Sequence, residues 1–253
     1  SLQAARASYL SNARMDASML RAYVASADLE HHALGVRGLG WVERAPRRGL
    51  DAYLAIARKE RPSFTIRSSG SHDRLFVVRY IEPLTENGAD AGYDLAQDPV
   101  RRETLTRAID TGQAAMTAPF ARAGADAPTA DLLYLLPVYR PGARPETPAA
   151  RDAALLGLLY MPIQTSRLFA DVARGLEGRA RVTIRDAAVA APLYASDADI
   201  PGEASRYVAT RSIDIGGRRV VVELASKPAF ELEAGHSRVA GTVLGGAAGS
   251  VML

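Results

Sequence analysis

Three apolar runs constrain this chain more than any other feature: Leu75 to Ile81, interrupted only by Arg79, Leu132 to Tyr139, and Ala154 to Ile163. Each is too short for most helices and apolar at odd and even positions alike, the pattern of strands whose sheet is covered on both faces. The first run continues through GYDLAQDPVRR into ETLTRAIDTGQAAMTAPF. A strand, a turn-rich charged segment and an amphipathic helix in that order suit one wall of a small-molecule cavity. The helix is expected from about Pro99 to Thr111, with Asp98 as its N-cap, Pro99 at its first position and Gly112 just past its end.

Around this core the pattern is less regular. Gly35 to Trp41, GVRGLGW, reads as a glycine-punctuated apolar segment, Asp51 to Lys59 as a short helix, and Pro62 to Ile66 as a first strand. The Pro- and Ala-rich stretch between the second and third runs reads as a hairpin excursion, and Thr165 to Gly175 as a helix. Beyond Thr165 the texture changes. Arg181 to Arg185, Arg206 to Ile215 and Arg218 to Ala225 alternate apolar and polar residues, and Gly216-Gly217 between the last two is a hairpin signal. A second, smaller sheet with one wetter face follows, with a boundary near Thr165.

The ends point to a membrane setting. Leu2, Tyr9, Leu10, Met15, Met19, Leu20, Tyr23 and Val24 fit one stripe on a long N-terminal helix, a candidate seam for a homodimer. From Val239 to Leu253 no residue is charged, and the segment is rich in the small residues that membrane helices tolerate. It is shorter than the about twenty residues a span requires, so the expectation is a chain that ends inside a second membrane helix. A Gly/Ala-rich tail of a soluble domain is the other reading. No signal peptide is present at the start, which would place a first anchor ahead of Ser1.

Composition excludes several functions. With 31 Lys plus Arg against 28 Asp plus Glu, scattered along the chain, there is no nucleic-acid footprint. The absence of cysteine removes thiolate nucleophiles, disulfides and Cys-based metal sites. No GxSxG elbow, HExxH helix or phosphate loop occurs. His31 and His32 are adjacent and cannot share a helical face, while His72 and His236 fall in polar turns, so no metal and no cofactor is expected. The chain reads as a binding module and not as an enzyme.

Six segments, GLGWVER (Gly38 to Arg44), FVVRYIEPL, GYDLAQDPVRR, DTGQAAMTAPF, LLYLLPVYR and GLLYMPI, resemble in order and spacing the CHASE family of extracytoplasmic sensor domains. That family serves receptor histidine kinases and diguanylate cyclases and includes the plant cytokinin receptors. The resemblance implies an α+β fold: a stalk helix and turn over residues 1–34, a membrane-distal PAS-like ligand-binding domain over 35–164, a membrane-proximal PAS-like domain over 165–228, and a helix over 229–253 entering the second transmembrane segment. It also implies a periplasmic small-molecule sensor, dimeric through the stalk and held in the bacterial inner membrane. The expected output is a histidine kinase of a two-component system, with a diguanylate cyclase or phosphodiesterase receptor as the alternative.

The same resemblance implies site residues. A pocket Tyr of the cytokinin-binding members matches Tyr80, a Thr of the TxPF turn matches Thr117, and side chains just before Pro137 match Leu135 and Leu136. The aspartate that binds adenine in the plant receptors aligns with Arg101, a reversal of charge, with Asp98 three residues earlier. A Gly-Gly pair is replaced by Tyr160 and Met161. Those departures leave adenine-like and small anionic ligands both open. If Arg101 faces the cavity, its planar fork suits a carboxylate or phosphate, whereas a solvated first-turn arginine is the plain reading. Asp98 is equally a structural cap, and Tyr80, Tyr134 and Tyr160 on buried strands are either pocket walls or core. A protein-binding or dimerisation module, its cavity filled by Tyr160 and Met161, is the reading from a different class.

Overall fold

A computed structural model describes residues 16–27, 35–121, 131–176, 178–196 and 205–235. Helix α1 (Ala17–Ala27) begins at Asp16, whose carboxylate accepts from Met19 N at 2.8 Å. Strand β1 (Leu39–Pro46), helix α2 (Leu50–Glu60), strand β2 (Arg74–Glu82), the short helix α3 (Leu84–Asn87), helix α4 (Pro99–Thr111), strands β3 (Ala115–Met116) and β4 (Asp131–Tyr139), helix α5 (Pro148–Ala154) and strand β5 (Leu155–Gln164) follow. They form a five-stranded sheet in the order β2-β1-β5-β4-β3, with every pairing antiparallel.

After helix α6 (Thr165–Gly175), strands β6 (Ala180–Asp186), β7 (Pro192–Ala195), β8 (Val208–Ile215) and β9 (Arg218–Ser226) form a second antiparallel sheet in the order β7-β6-β9-β8, and helix α7 (Pro228–Gly235) closes the described chain. Both sheets follow one plan. The first strand of each lies between the second and the last, and the penultimate strand flanks the last.

The first sheet is covered on both faces, as its apolar runs require. On one face Leu105, Ala108 and Ile109 of α4 pack on Val78, Leu133, Leu135, Leu158 and Tyr160. On the other, Leu20 of α1 packs on Leu39, Trp41, Leu136 and Leu159, while Ala57 of α2 and the loop residue Phe64 pack on Leu75 and Val77. The fully buried Asp94 ties the loop before α4 to the sheet. Its carboxylate accepts from Phe76 N at 2.9 Å, Ala96 N at 3.1 Å and the Ser68 hydroxyl at 2.7 Å.

One local expectation fails, the strand at 62–66, and two are refined. GVRGLGW contains the start of the inner strand β1, and its glycines mark close approach: a Cβ on Gly40 would stand 2.8 Å from the Tyr80 carbonyl oxygen. Residues 62 to 66 are not a strand. Pro62 has no N–H for a ladder, and Phe64 N donates to the Arg61 carbonyl at 2.9 Å in a turn, leaving the Phe64 ring in the α2 cluster. The excursion between β4 and β5 contains α5, and β7 is an additional strand.

The two sheets meet through Met116, Leu132 and Ile163 of the first and Val182, Ile184, Leu193, Val220 and Leu224 of the second, with Phe169 of α6 between them. The β8–β9 turn has positive φ at both Gly216 (56°) and Gly217 (74°), the geometry a two-residue hairpin favours. Its tip reaches the edge of the first sheet, where Gly216 O accepts from Met116 N at 2.9 Å. Of the expected stalk, only Ala17–Ala27 falls among the described residues; Leu2, Tyr9, Leu10 and Met15 lie outside them, as does the uncharged C-terminal segment. Among the described residues no helix is long and apolar enough to cross a membrane.

Candidate ligand-binding site

Helix α4 starts as its sequence dictates. Pro99 occupies the first turn, and the Asp98 carboxylate accepts from Arg101 N at 2.9 Å, so Asp98 is a structural cap. A first-turn arginine gains nothing from the helix dipole, and what holds Arg101 is aromatic. Its guanidinium carbon lies 4.6 Å from the Tyr93 ring centroid and 4.6 Å from that of Phe120. The Nε atom is buried without a hydrogen-bond partner, and among the described residues no carboxylate stands within ion-pair distance of the Arg101 side chain. Arg102 turns elsewhere and donates to Ala96 O at 2.8 Å.

The sheet supplies the floor beneath Arg101. Leu135 and Tyr160 are cross-strand partners on β4 and β5, and both face α4. Burial above all pushes the Tyr160 hydroxyl well above its ordinary pKa; hydrogen bonding to Asp90 and that carboxylate's charge act in the same direction, while Arg101 and Arg37 oppose them. The phenol therefore stays protonated, with the Asp90 carboxylate among the charges it senses. Thr117 is fully buried opposite Leu133, its Oγ1 accepting from Leu133 N at 2.9 Å. Asp98, Arg101, Thr117, Leu135 and Tyr160 thus share the α4 side of the sheet.

Tyr80, Tyr134 and Leu136 are on the opposite face. Strand alternation alone separates Leu136, which packs on Leu20 and Trp41, from Leu135. Tyr134 packs toward the second sheet beside Met116. Tyr80 is placed by a bulge: Trp41 pairs with Tyr80 but Val42 with Val78, so Arg79 is an extra residue and lies on the α2 side together with Tyr80. There the Tyr80 hydroxyl donates to Glu60 Oε2 at 2.6 Å and Arg79 Nη2 to the same oxygen at 2.7 Å. Arg79 also stands 5.0 Å from the Phe64 and Tyr80 rings, so this cluster answers its own charge and clamps α2 to the sheet. Burial raises the Glu43 carboxyl in this cluster, against the pull of Arg79.

Tyr93, Phe120 and Asp90 are the site residues that sequence reasoning missed. Two of them were within sight, since Tyr93 lies in the GYD segment and Phe120 closes the TAPF turn, but only the fold brings both rings to one guanidinium. Among the described residues no group of three or more His, Asp or Glu side chains is disposed to hold a metal ion.

A family model for the CHASE domain matches residues 13–196, a span that includes all of the first sheet and the first hairpin of the second. The chain belongs to the CHASE domain family. It is accordingly a sensor domain of the extracytoplasmic kind rather than a catalytic one. Among solved structures this CHASE domain is similar to an extracellular ligand binding receptor from Desulfohalobium retbaense DSM5692, with a TM-score of 0.52 at 13% identity over 87% of this chain and 35% of that one. The likeness shows the fold, and the chain spans about a third of that receptor's length. The periplasmic sensory domain of the Campylobacter jejuni chemoreceptor Tlp1 is a looser match, with a TM-score of 0.48 at 7% identity over 85% of this chain and 79% of that one. No curated protein matches the sequence.

Proposed function

We propose that this CHASE domain is the periplasmic, ligand-sensing part of a bacterial inner-membrane receptor, and that the ligand binds on the α4 face of the first sheet beside Arg101. The observation that carries the reading is a guanidinium set between Tyr93 and Phe120, with a buried Nε that has no hydrogen-bond partner and no carboxylate within ion-pair distance among the described residues. A desolvated cation is costly unless a counter-charge is supplied, and a ligand carboxylate or phosphate would supply it through the planar fork. Leu135 and Tyr160 form the apolar floor, and Thr117 leaves little room for a larger side chain.

Residues 35–164 form the ligand-binding unit and residues 165–228 the unit that relays toward the membrane; their shared strand plan supports reading both as PAS-like. The packing of Leu20 on Trp41 and Leu136 joins the stalk to the ligand-binding sheet. Ligand that favours one stalk arrangement would shift a dimer equilibrium, and membrane helices flanking the domain would pass the change to a histidine kinase or, in the alternative, a diguanylate cyclase. A second ligand reading, an adenine-like ring, rests on Tyr93 and Phe120, whose rings flank Arg101 and would stack a planar base.

A thermal-shift screen of adenines, cytokinin-like compounds, amino acids and small carboxylates, repeated on Arg101→Asp and Thr117→Ile, tests the site. Stabilisation by an anionic compound that both substitutions abolish supports the anion reading. Stabilisation by adenines that survives Arg101→Asp but not Thr117→Ile favours the second. If no compound stabilises the protein, or affinity is unchanged in both folded variants, the α4-face site is wrong, and a module that binds protein or only dimerises takes its place.

A further inference from the structure

The far end of α4 borders an open cleft of about 510 Å³ between the helix terminus and the loop joining β4 to α5. Three arginines line it, Arg140, Arg144 and Arg151, against a single acidic residue, Glu146. The loop is a built turn: Arg140 N donates to Ala154 O at 3.0 Å, Ala143 N donates to Arg140 O at 3.1 Å, and Gly142 takes a φ of 77°. Arg151 is committed, its Nη1 donating to Asp110 O at 2.5 Å at the end of α4, where it offsets the negative end of the helix dipole. Arg140 and Arg144 are not committed. Among the described residues neither side chain has an ion pair or hydrogen bond. The rest of the lining, Thr111, Gln113 and the edge of Tyr139 among it, is too polar for an apolar ligand to gain much by entering.

We infer that this cleft is a second binding site, separate from the one beside Arg101, for a small molecule carrying two or more anionic groups. One exposed ion pair contributes little, so a monoanion has no hold here. Two uncommitted planar forks on one ordered loop, with Arg151 fixed behind them, each accept one oxyanion group and together select a ligand that presents several. Phosphates and carboxylates share this chemistry. The site lies eleven residues along α4 from Arg101 to Gly112, or about 17 Å at the helical rise, so the two sites are at opposite ends of one element and do not overlap.

Isothermal titration of the full chain with sodium tripolyphosphate and, separately, with citrate distinguishes phosphate from carboxylate ligands; acetate serves as the monoanion control, and sodium chloride holds ionic strength constant. Saturable binding of tripolyphosphate or citrate is expected, with acetate at least tenfold weaker. The double variant Arg140→Ala/Arg144→Ala should lose at least tenfold in affinity while keeping its circular dichroism and melting temperature, because both side chains are exposed. Arg48→Ala, which removes an exposed arginine that is not part of the cleft, should bind these anions as the parent does. The inference is overturned if the double variant binds unchanged, if acetate binds as well as the multivalent anions (an adventitious ion only), or if Arg101→Ala alone removes binding, which would assign the anions to the first site.

Discussion

The Tyr160 phenol is buried between Leu135 and α4, and its protonation is coupled to stability. Its folded pKa is raised above the ordinary value of 10.0, chiefly by burial. The stabilisation linked to that shift is complete below about pH 10 and is lost as pH rises above it, because the unfolded chain releases the proton first. Tyr160→Phe is therefore expected to flatten the alkaline limb of the stability curve, measured by urea unfolding at a series of pH values between neutrality and strongly alkaline solution. Tyr80, also raised by burial, leaves a residual slope in that variant. An unchanged slope would mean that Tyr160 is not desolvated in solution. The start of α4 was legible at this scale, since Asp-Pro ahead of a periodic run announces a capped helix, whereas Leu135 and Leu136, both carried over as site residues, fall on opposite faces as strand alternation requires. Tyr80 was not legible, because an extra residue in β2 reverses its side and no local signal announces a bulge. Nor was the setting of Arg101, since Tyr93 and Phe120 come to it from separate loops.

Among the elements, the three apolar runs became β2, β4 and β5 with ends moved by a residue or so, because runs buried on both sides leave the chain few alternatives. The inner strand β1 escaped notice for the opposite reason. The glycines of the GVRGLGW segment that leads into it resemble breakers, yet each answers a neighbour too close for a side chain, and β5 contains the clearest counterpart: a Cβ on Gly157 would stand 2.4 Å from the Trp41 ring. Gly157→Ala should therefore lower stability by about 1–3 kcal/mol, the usual cost of overpacking, read as a fall in the urea midpoint with the slope unchanged. If the midpoint does not fall, Trp41 is free to shift and the junction of α1, β1 and β5 is looser than its packing indicates. The Gly216-Gly217 turn was legible because both positions need positive φ and the flanking runs alternate cleanly. Its destination was not, since no sequence pattern states which edge a hairpin tip will touch.

Across the whole molecule, two sheets of one plan share a continuous apolar seam, and the hairpin of the second hydrogen-bonds to the outermost strand of the first. An unprotected sheet edge is a template for pairing with other chains. The Gly216 carbonyl occupies Met116 N, and the seam covers Met116, Leu132 and Ile163, so the later-synthesised half acts toward the earlier one as a built-in chaperone. A first-sheet half cut free before Thr165 is accordingly expected to self-associate, while the full chain keeps a single size on gel filtration. A monodisperse, folded fragment would show that the first sheet needs no such guard. Engineers grafting the first-sheet half onto another protein would then have to bring its guardian hairpin along, or replace Met116 and its neighbours with residues that tolerate water.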